Sequence, residues 1–281
     1  MNDIRVALII FQSSVGQIRD NLDRTAKWVR LAKAAGADVV CFPEMNISGY
    51  GVQSAGILKP ERIPGPTSDR LTALAKGEKI AILAGMAESD GAGLYASHML
   101  ATPDGRLGVY RKLHIPPPEQ GIFSPAGLVP VFPIKGALCG VQLCYDAHFP
   151  ELSTLMAVKG ADVIFFPHAS PRGTPEEKYA SWMRHLPARA YDNGIFVLAC
   201  NQTGDNGQGL HFPGIAMALG PDGRLLKKDI GGNESMLLID LKAEDLAFVR
   251  NHRMRYFLPN RRPESYRSLY MEESVSEGYA D

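Results

Sequence analysis

The chain has 281 residues, 45% hydrophobic and 21% charged, with thirty basic side chains balancing thirty acidic ones. That composition fits a soluble globular protein, and the balanced charge gives no footprint for nucleic acid or an anionic membrane surface. No apolar run reaches the roughly 18 residues that span a bilayer, and MNDIRVALIIFQ lacks the long apolar segment and cleavage site of a signal peptide.

Residues 4–11 are apolar and β-rich, and read as a buried first strand. Leu22, Ala26, Val29 and Ala32 then recur at helical spacing within 21–35, where Gly36 can stop the helix. Val39 to Phe42 is a short buried strand. A second helix fits 67–76, opened by Thr67 or Ser68 and closed by Gly77. Strands at 79–87 and 94–102 lead to a Pro-Asp-Gly turn at 103–105. The second half opens on a strand at 137–144, a helix at 150–159 ended by Gly160, and a strand at 162–167. In TPEEKYASWMRHLPARAYDNG, Thr174 can cap a helix, Pro175 suits its first turn, Glu177 completes a capping box and Pro187 should interrupt it. Strands at 195–200 and 214–219 lead to the second Pro-Asp-Gly turn.

The two halves echo one another. AGADVVCFPE (35–44) resembles KGADVIFFPH (159–168), and PDGRL occurs at 103–107 and again at 221–225. Each half alternates strands and helices, and some strands are apolar throughout, so their sheets should be covered on both faces. The expected fold is α/β: a four-layer α-β-β-α sandwich with an internal pseudo-twofold duplication, as one domain over 1–281. Residues 251–281 are basic, then aromatic, then acidic, and read as a C-terminal arm that packs on a neighbour.

The four cysteines, Cys41, Cys139, Cys144 and Cys200, sit in or beside apolar strand-like runs and form no CxxC pair. This favours reduced thiols and a cytoplasmic setting. The seven histidines form no HxxxH or HxH cluster, so the sequence offers no support for a tight zinc site.

Three residues are candidates for chemistry. Cys144 closes an apolar strand just before a helix that begins near Pro150. It is either a small buried hydrophobe or a nucleophile whose thiolate is favoured by a helix N-terminus. A nucleophilic cysteine needs a base. His148, His168 and His114 are options, and Glu44 is the more pointed one. Glu44 follows the strand VVCFP, where α/β proteins place their sites, and an apolar pocket would raise its pKa towards neutrality. In the second half its counterpart is His168. Lys112, in VYRKLHIPPPEQGIFSPAG, is either a surface lysine or an oxyanion stabiliser held by Glu44 or Glu119.

Taken together, FPEMNISGY around Glu44, YRKLHI around Lys112 and CYDAHFPE around Cys144 resemble the nitrilase superfamily of carbon–nitrogen hydrolases. The resemblance runs from about residue 4 to residue 265. It implies Glu44 as general base, Lys112 as oxyanion stabiliser and Cys144 as nucleophile. It also implies Glu119 as the second glutamate and the Tyr145 N–H as an oxyanion donor. No metal or organic cofactor is implied. The expected reaction is hydrolysis of a small amide or N-carbamoyl compound through a cysteine thioester. A nitrilase is the alternative, and a non-catalytic assembly protein of the same fold is a third reading. Tyr145-Asp146, where nitrile-acting members often carry Trp-Glu, favours amides. His148 stands where many amidase members have arginine, which leads away from the dicarboxylate ω-amidase branch. Arg172 could meet a substrate carboxylate, Tyr50 and Phe123 could line the pocket, and Asn201 could shape it. The closing RRPESY resembles a segment that packs across a dimer interface, so a homodimer or higher even homo-oligomer is expected.

Overall fold

The computed structural model of the chain describes residues 1–52 and 55–267. Its first half comprises β1 (Ile4–Ile10), α1 (Ile18–Ala34), β2 (Val39–Cys41), α2 (Pro66–Glu78), β3 (Ala81–Ser89), β4 (Leu94–Ala101) and β5 (Leu107–Arg111). The second half contains β6 (Phe132–Ile134), β7 (Ala137–Val141), α3 (Pro150–Val158), β8 (Val163–His168), α4 (Pro175–Trp182), α5 (Leu186–Asn193) and β9 (Phe196–Asn201). It continues through the short hairpin β10 (Thr203–Asp205) and β11 (His211–Pro213) to β12 (Ala216–Leu219) and β13 (Leu225–Asp229). Then come β14 (Ser235–Leu241) and α6 (Ala243–Arg250).

The strands form two six-stranded sheets, ordered β14-β1-β2-β3-β4-β5 and β13-β12-β9-β8-β7-β6. The duplication heard in the sequence is present in the pairing. β1, β2 and β3 run parallel, and β4 and β5 then turn back antiparallel. β7, β8, β9, β12 and β13 repeat that pattern strand for strand. Each half is completed by an antiparallel edge strand, β14 beside β1 and β6 beside β7.

Alternation along β1 explains the layers. Ile4, Val6, Leu8 and Ile10 enter one core with Val163, Phe165 and Leu198 of the other sheet. Ala7, Ile9 and Phe11 point the opposite way, into a core built with Val29 and Ala32 of α1 and Leu71 of α2. Successive strand residues face opposite sides, so a strand apolar at every position serves a sheet–sheet core and a helix–sheet core together. The chain is therefore an α-β-β-α sandwich.

Several boundaries differ from the sequence expectation. α1 begins at Ile18, earlier than residue 21. α2 starts at Pro66 with Gly65 before it, and the Ser68 hydroxyl accepts the Gly65 N–H at 2.8 Å. It runs through Gly77 and stops where Lys79 takes a left-handed φ of 54°. The expected 137–144 strand ends at Val141, before Cys144. Thr174 and Glu177 form the expected capping box, and the helix is broken between Trp182 and Leu186, just ahead of Pro187. β6, β14 and α6 had no sequence signal strong enough to name them. Of the arm expected over 251–281, the described part, to residue 267, carries short 3-10 turns at Leu258–Asn260 and Pro263–Ser265; residues 268–281 lie outside the described residues. No helix among the described residues is long and apolar enough to cross a membrane.

Candidate active site

Glu44 leaves the C-terminal end of β2 and is fully buried. The turn behind it is pinned from three directions. Met45 adopts a left-handed φ of 53°, the Asn46 side chain accepts the Gly85 N–H at 2.8 Å, and the Gln202 amide donates to the Glu44 carbonyl at 2.8 Å. Gln202 belongs to the other half, so the Glu44 turn is clamped across the two sheets. The Ala169 N–H, just past β8, donates to Glu44 Oε2 at 3.0 Å.

Lys112 directly follows β5, and its N–H still pairs with Ala96 at 3.0 Å. Alternation sends Arg111 outward to Glu88 and Asp90, while Tyr110 and Lys112 turn inward. Inside, Lys112 Nζ donates to Glu44 Oε1 and to both oxygens of Glu119, each at 2.9 Å. Glu119 is delivered by a 3-10 turn at the end of a proline run, Pro117–Glu119, and its Oε1 also accepts the Tyr50 hydroxyl at 2.9 Å. The three charged residues are 2% exposed or less.

Cys144 opens a 3-10 turn, Cys144–His148, and holds a φ of 43°. That left-handed conformation is costly for any residue but glycine and recurs at functional turns. Asp146 over-determines the turn. Its Oδ2 accepts the Tyr110 hydroxyl at 2.7 Å and the Leu143 N–H at 3.1 Å, and its Oδ1 accepts the His114 N–H at 2.9 Å. The His114 ring lies 2.8 Å from the same oxygen through Nδ1 and stacks on Phe149, with centroids 3.6 Å apart. Tyr110 and Lys112 are neighbours on one face of the same β5 segment. Asp146 thus ties the cysteine turn to the segment that carries the lysine.

The electrostatics follow from burial. Desolvation raises Glu44 to about 7, against the opposing pull of Lys112 and with a further push from Glu119. Burial would pull the Lys112 ammonium down, but the Glu44 and Glu119 carboxylates hold it well above its ordinary value, so it stays cationic. The Cys144 thiol is pushed up by desolvation and then by Glu44. This corrects the expectation that the thiolate is favoured at rest. The helix at Pro150 lies beyond the 3-10 turn, and nearby carboxylate charge outweighs any dipole, so the sulfur rests protonated and must hand its proton to a base.

The structure brings Glu44, Lys112, Glu119, Tyr50 and Cys144 into one cluster, with Tyr145 next to the sulfur-bearing residue. Phe123 is buried on the Glu119 loop, its N–H bonded to the Glu119 carbonyl at 3.1 Å. Asn201 grips the backbone of Ser170 twice, accepting its N–H at 2.9 Å and donating to its carbonyl at 3.0 Å. His148 is exposed, its ring 4.7 Å from that of His185. Arg172 is exposed on the loop after β8 with a φ of 70°, and no hydrogen bond or ion pair among the described residues ties its side chain to the cluster. Sequence reasoning missed the structural parts played by Asp146, the Ala169 N–H and Gln202. Each acts through a contact distant in sequence, and the only local hint was the Asp of CYD. Among the described residues no group of three or more His, Cys, Asp or Glu side chains is placed to hold a metal ion.

Comparison with known proteins agrees with this geometry. The sequence model of the carbon–nitrogen hydrolase family matches residues 5–251. An (R)-stereoselective amidase from a Pseudomonas species is 31% identical over 88% of this chain and 88% of its own. A nitrilase from Pyrococcus abyssi is 30% identical over 94% of this chain and 99% of its own. Among solved structures, an amidase mutant from Nesterenkonia sp. AN1, with acrylamide added at its active-site cysteine, superposes with a TM-score of 0.80 at 26% identity. That match covers 95% of this chain and 99% of the other.

Proposed function

The chain belongs to the carbon–nitrogen hydrolase family and is a hydrolase of C–N bonds, and from that premise we propose that Cys144, Glu44 and Lys112 carry its chemistry on small amides or N-carbamoyl compounds. The observation that carries this reading is the Glu44–Lys112–Glu119 ion cluster buried beside a strained cysteine turn. A buried charge cluster of this kind is costly to assemble, and groups so perturbed concentrate at functional sites.

Glu44 takes the proton from the Cys144 sulfur, and the thiolate attacks the carbonyl carbon. The electron pair that moves onto oxygen is met by the Lys112 ammonium and the Tyr145 N–H; one such donor is worth about 3–4 kcal/mol. Glu44 returns the proton to the departing nitrogen, ammonia or an amine leaves, and a thioester remains. Water then gives a proton to Glu44 and attacks the thioester. The tetrahedral species collapses to the acid, and the proton returns to sulfur. Glu119 and Tyr50 hold Lys112 in place throughout. Phe123 lines the acyl side and Asn201 shapes the loop carrying Ser170, while His148 and Arg172 stand at the outer rim.

The nitrilase reading rests on the Pyrococcus abyssi relative and uses the same residues, with the nitrile passing through a thioimidate before water enters. We also propose a cytoplasmic enzyme that works as an even-numbered homo-oligomer. The free cysteines support the first point, and the exposed Phe248, Met254 and Phe257 near the C-terminal arm support the second. The test is ammonia release from matched amides, ureas and nitriles by wild type and by Cys144→Ala. Turnover should vanish in the variant while its circular dichroism and Tm stay native. Retained turnover sinks the assignment, and turnover confined to nitriles moves the protein to the second reading.

A further inference from the structure

Beyond the cluster, Lys178 is a cation in electrostatic reach of the sulfur, with no ion pair among the described residues. Lys178 lies in the first turn of α4 and is half-buried. Its Nζ donates to Ser170 Oγ at 2.7 Å and to the Pro171 carbonyl at 3.2 Å, both neutral oxygens. An ammonium has three N–H donors, so one is left without an acceptor among the described residues. The loop that receives it is held rigidly. Ser170 is gripped by Asn201 on both backbone groups, and the preceding Ala169 N–H binds Glu44. Lys178 therefore bonds the residue next to a direct contact to Glu44.

Other charged and titratable groups border this loop. Glu177 folds back to accept the Thr174 N–H at 2.9 Å. Arg189 donates to the Ala147 carbonyl at 3.1 Å. His168 is buried, and its Nδ1 lies 2.8 Å from the Phe166 carbonyl. Burial pulls His168 well below its ordinary range and takes His185 to about 4, so both imidazoles are neutral at pH 7. Burial also lowers the Lys178 ammonium, whereas charge at Cys144 raises it again. A half-desolvated cation in electrostatic reach of the sulfur, with neutral oxygens for company, is an arrangement that an incoming anion would complete.

We propose that Lys178 is the specificity-determining residue that receives a carboxylate on the substrate, with Ser170 and the Pro171 carbonyl holding it in place. The preferred substrates are then amides or ureido compounds that carry an acid at the end remote from the scissile bond. This places the acid on Lys178 rather than on the exposed Arg172. The inference rests on the reading of Cys144 as nucleophile and deepens it.

The experiment compares two isosteric pairs on the full-length enzyme: succinamate with butyramide, and N-carbamoyl-β-alanine with propylurea. Each pair exchanges a carboxylate for a methyl group. The wild type should favour the acid in at least one pair by kcat/KM. In Lys178→Gln that preference should fall about 10- to 100-fold, the worth of a charge-assisted hydrogen bond, mostly through KM. Lys178→Arg, which keeps the charge, should retain much of it. A merely structural lysine would lower both members of a pair together and leave their ratio intact. An unchanged ratio in Lys178→Gln, or a wild-type preference for the neutral member of both pairs, overturns this role and leaves the hydrolase reading standing. Failure of the wild type on all four probes and on nitriles overturns the hydrolase reading and this inference with it.

Discussion

A single proton on Glu44 has opposite effects on activity and on stability. As the proposed base, Glu44 must be ionised, so kcat/KM should rise with pH to a plateau, with its midpoint near the value of about 7 that burial imposes. Stability runs the other way. The folded value lies above the ordinary 4.5, so the native state holds the proton more tightly than the unfolded chain does. Glu44 therefore favours the fold most at low pH, and that contribution is lost as pH rises from about 4.5 to about 7. A Tm series over this window should show the decline in wild type, and Glu44→Gln should lack that component of the slope. Glu44→Gln should also lose about 100- to 10,000-fold in kcat, the range of a general base. Glu119 adds negative charge beside Glu44. Glu119→Gln should accordingly move the rising limb of the pH–rate profile to lower pH, and a limb that stays put or moves up would refute the coupling. Lys112→Met leaves two buried carboxylates without their cation and should cost about 3–5 kcal/mol in denaturant melts as well as activity.

Three short turns, after β2, after β5 and after β7, do the positioning, and Asp146 joins two of them. Removing its carboxylate in Asp146→Ala orphans the Tyr110 hydroxyl and the Leu143 and His114 amides. Each orphaned buried donor costs about 1–3 kcal/mol, so the variant should melt early and lose kcat more than KM. Tyr110→Phe removes one partner only and should be milder on both counts. These ties also explain what could be read from the sequence and what could not. The Thr174–Glu177 capping box and the break before Pro187 are local chemistry, and both stand where the residues put them. β14 is a strand because β1, more than two hundred residues earlier, offers its edge, and nothing within Ser235–Leu241 announces that partner. Cys144 looked like a strand end because QLC continues an apolar run. The Asp146 side chain stops the strand by capturing the Leu143 N–H, a contact invisible to periodicity. Glu44, Lys112 and Cys144 were legible because each sits in a dense motif. Lys178 was not, since in TPEEKY it reads as one more charge on a solvated helix.

The whole molecule is a duplicated sandwich in which the proposed chemistry is not duplicated. The first half supplies Glu44, Lys112 and Glu119, and the second supplies Cys144 and the Ala169 N–H that steadies Glu44. Where the first copy has Glu44, the second has His168, packed at a tilt against Trp182 with ring centroids 4.3 Å apart. One core runs between the sheets, so the halves should unfold together. Trp28 on α1 and Trp182 on α4 report on opposite halves; with each replaced in turn by Phe, the remaining fluorophore should give the same urea midpoint. Two separated transitions would show that the halves stand alone. The buried ion cluster has a further consequence at this scale. In the proposed mechanism, each turnover on a neutral amide passes one proton among sulfur, Glu44, the leaving nitrogen and the incoming water, while Lys112 and Glu119 keep their charges. The interior is thus a closed electrical circuit whose total charge stays constant, and counterions in the solvent have nothing there to compensate. Rates on butyramide should consequently be almost flat from low to high salt, whereas an acid substrate, which must bring its own charge in from the solvent, should bind more weakly as salt rises.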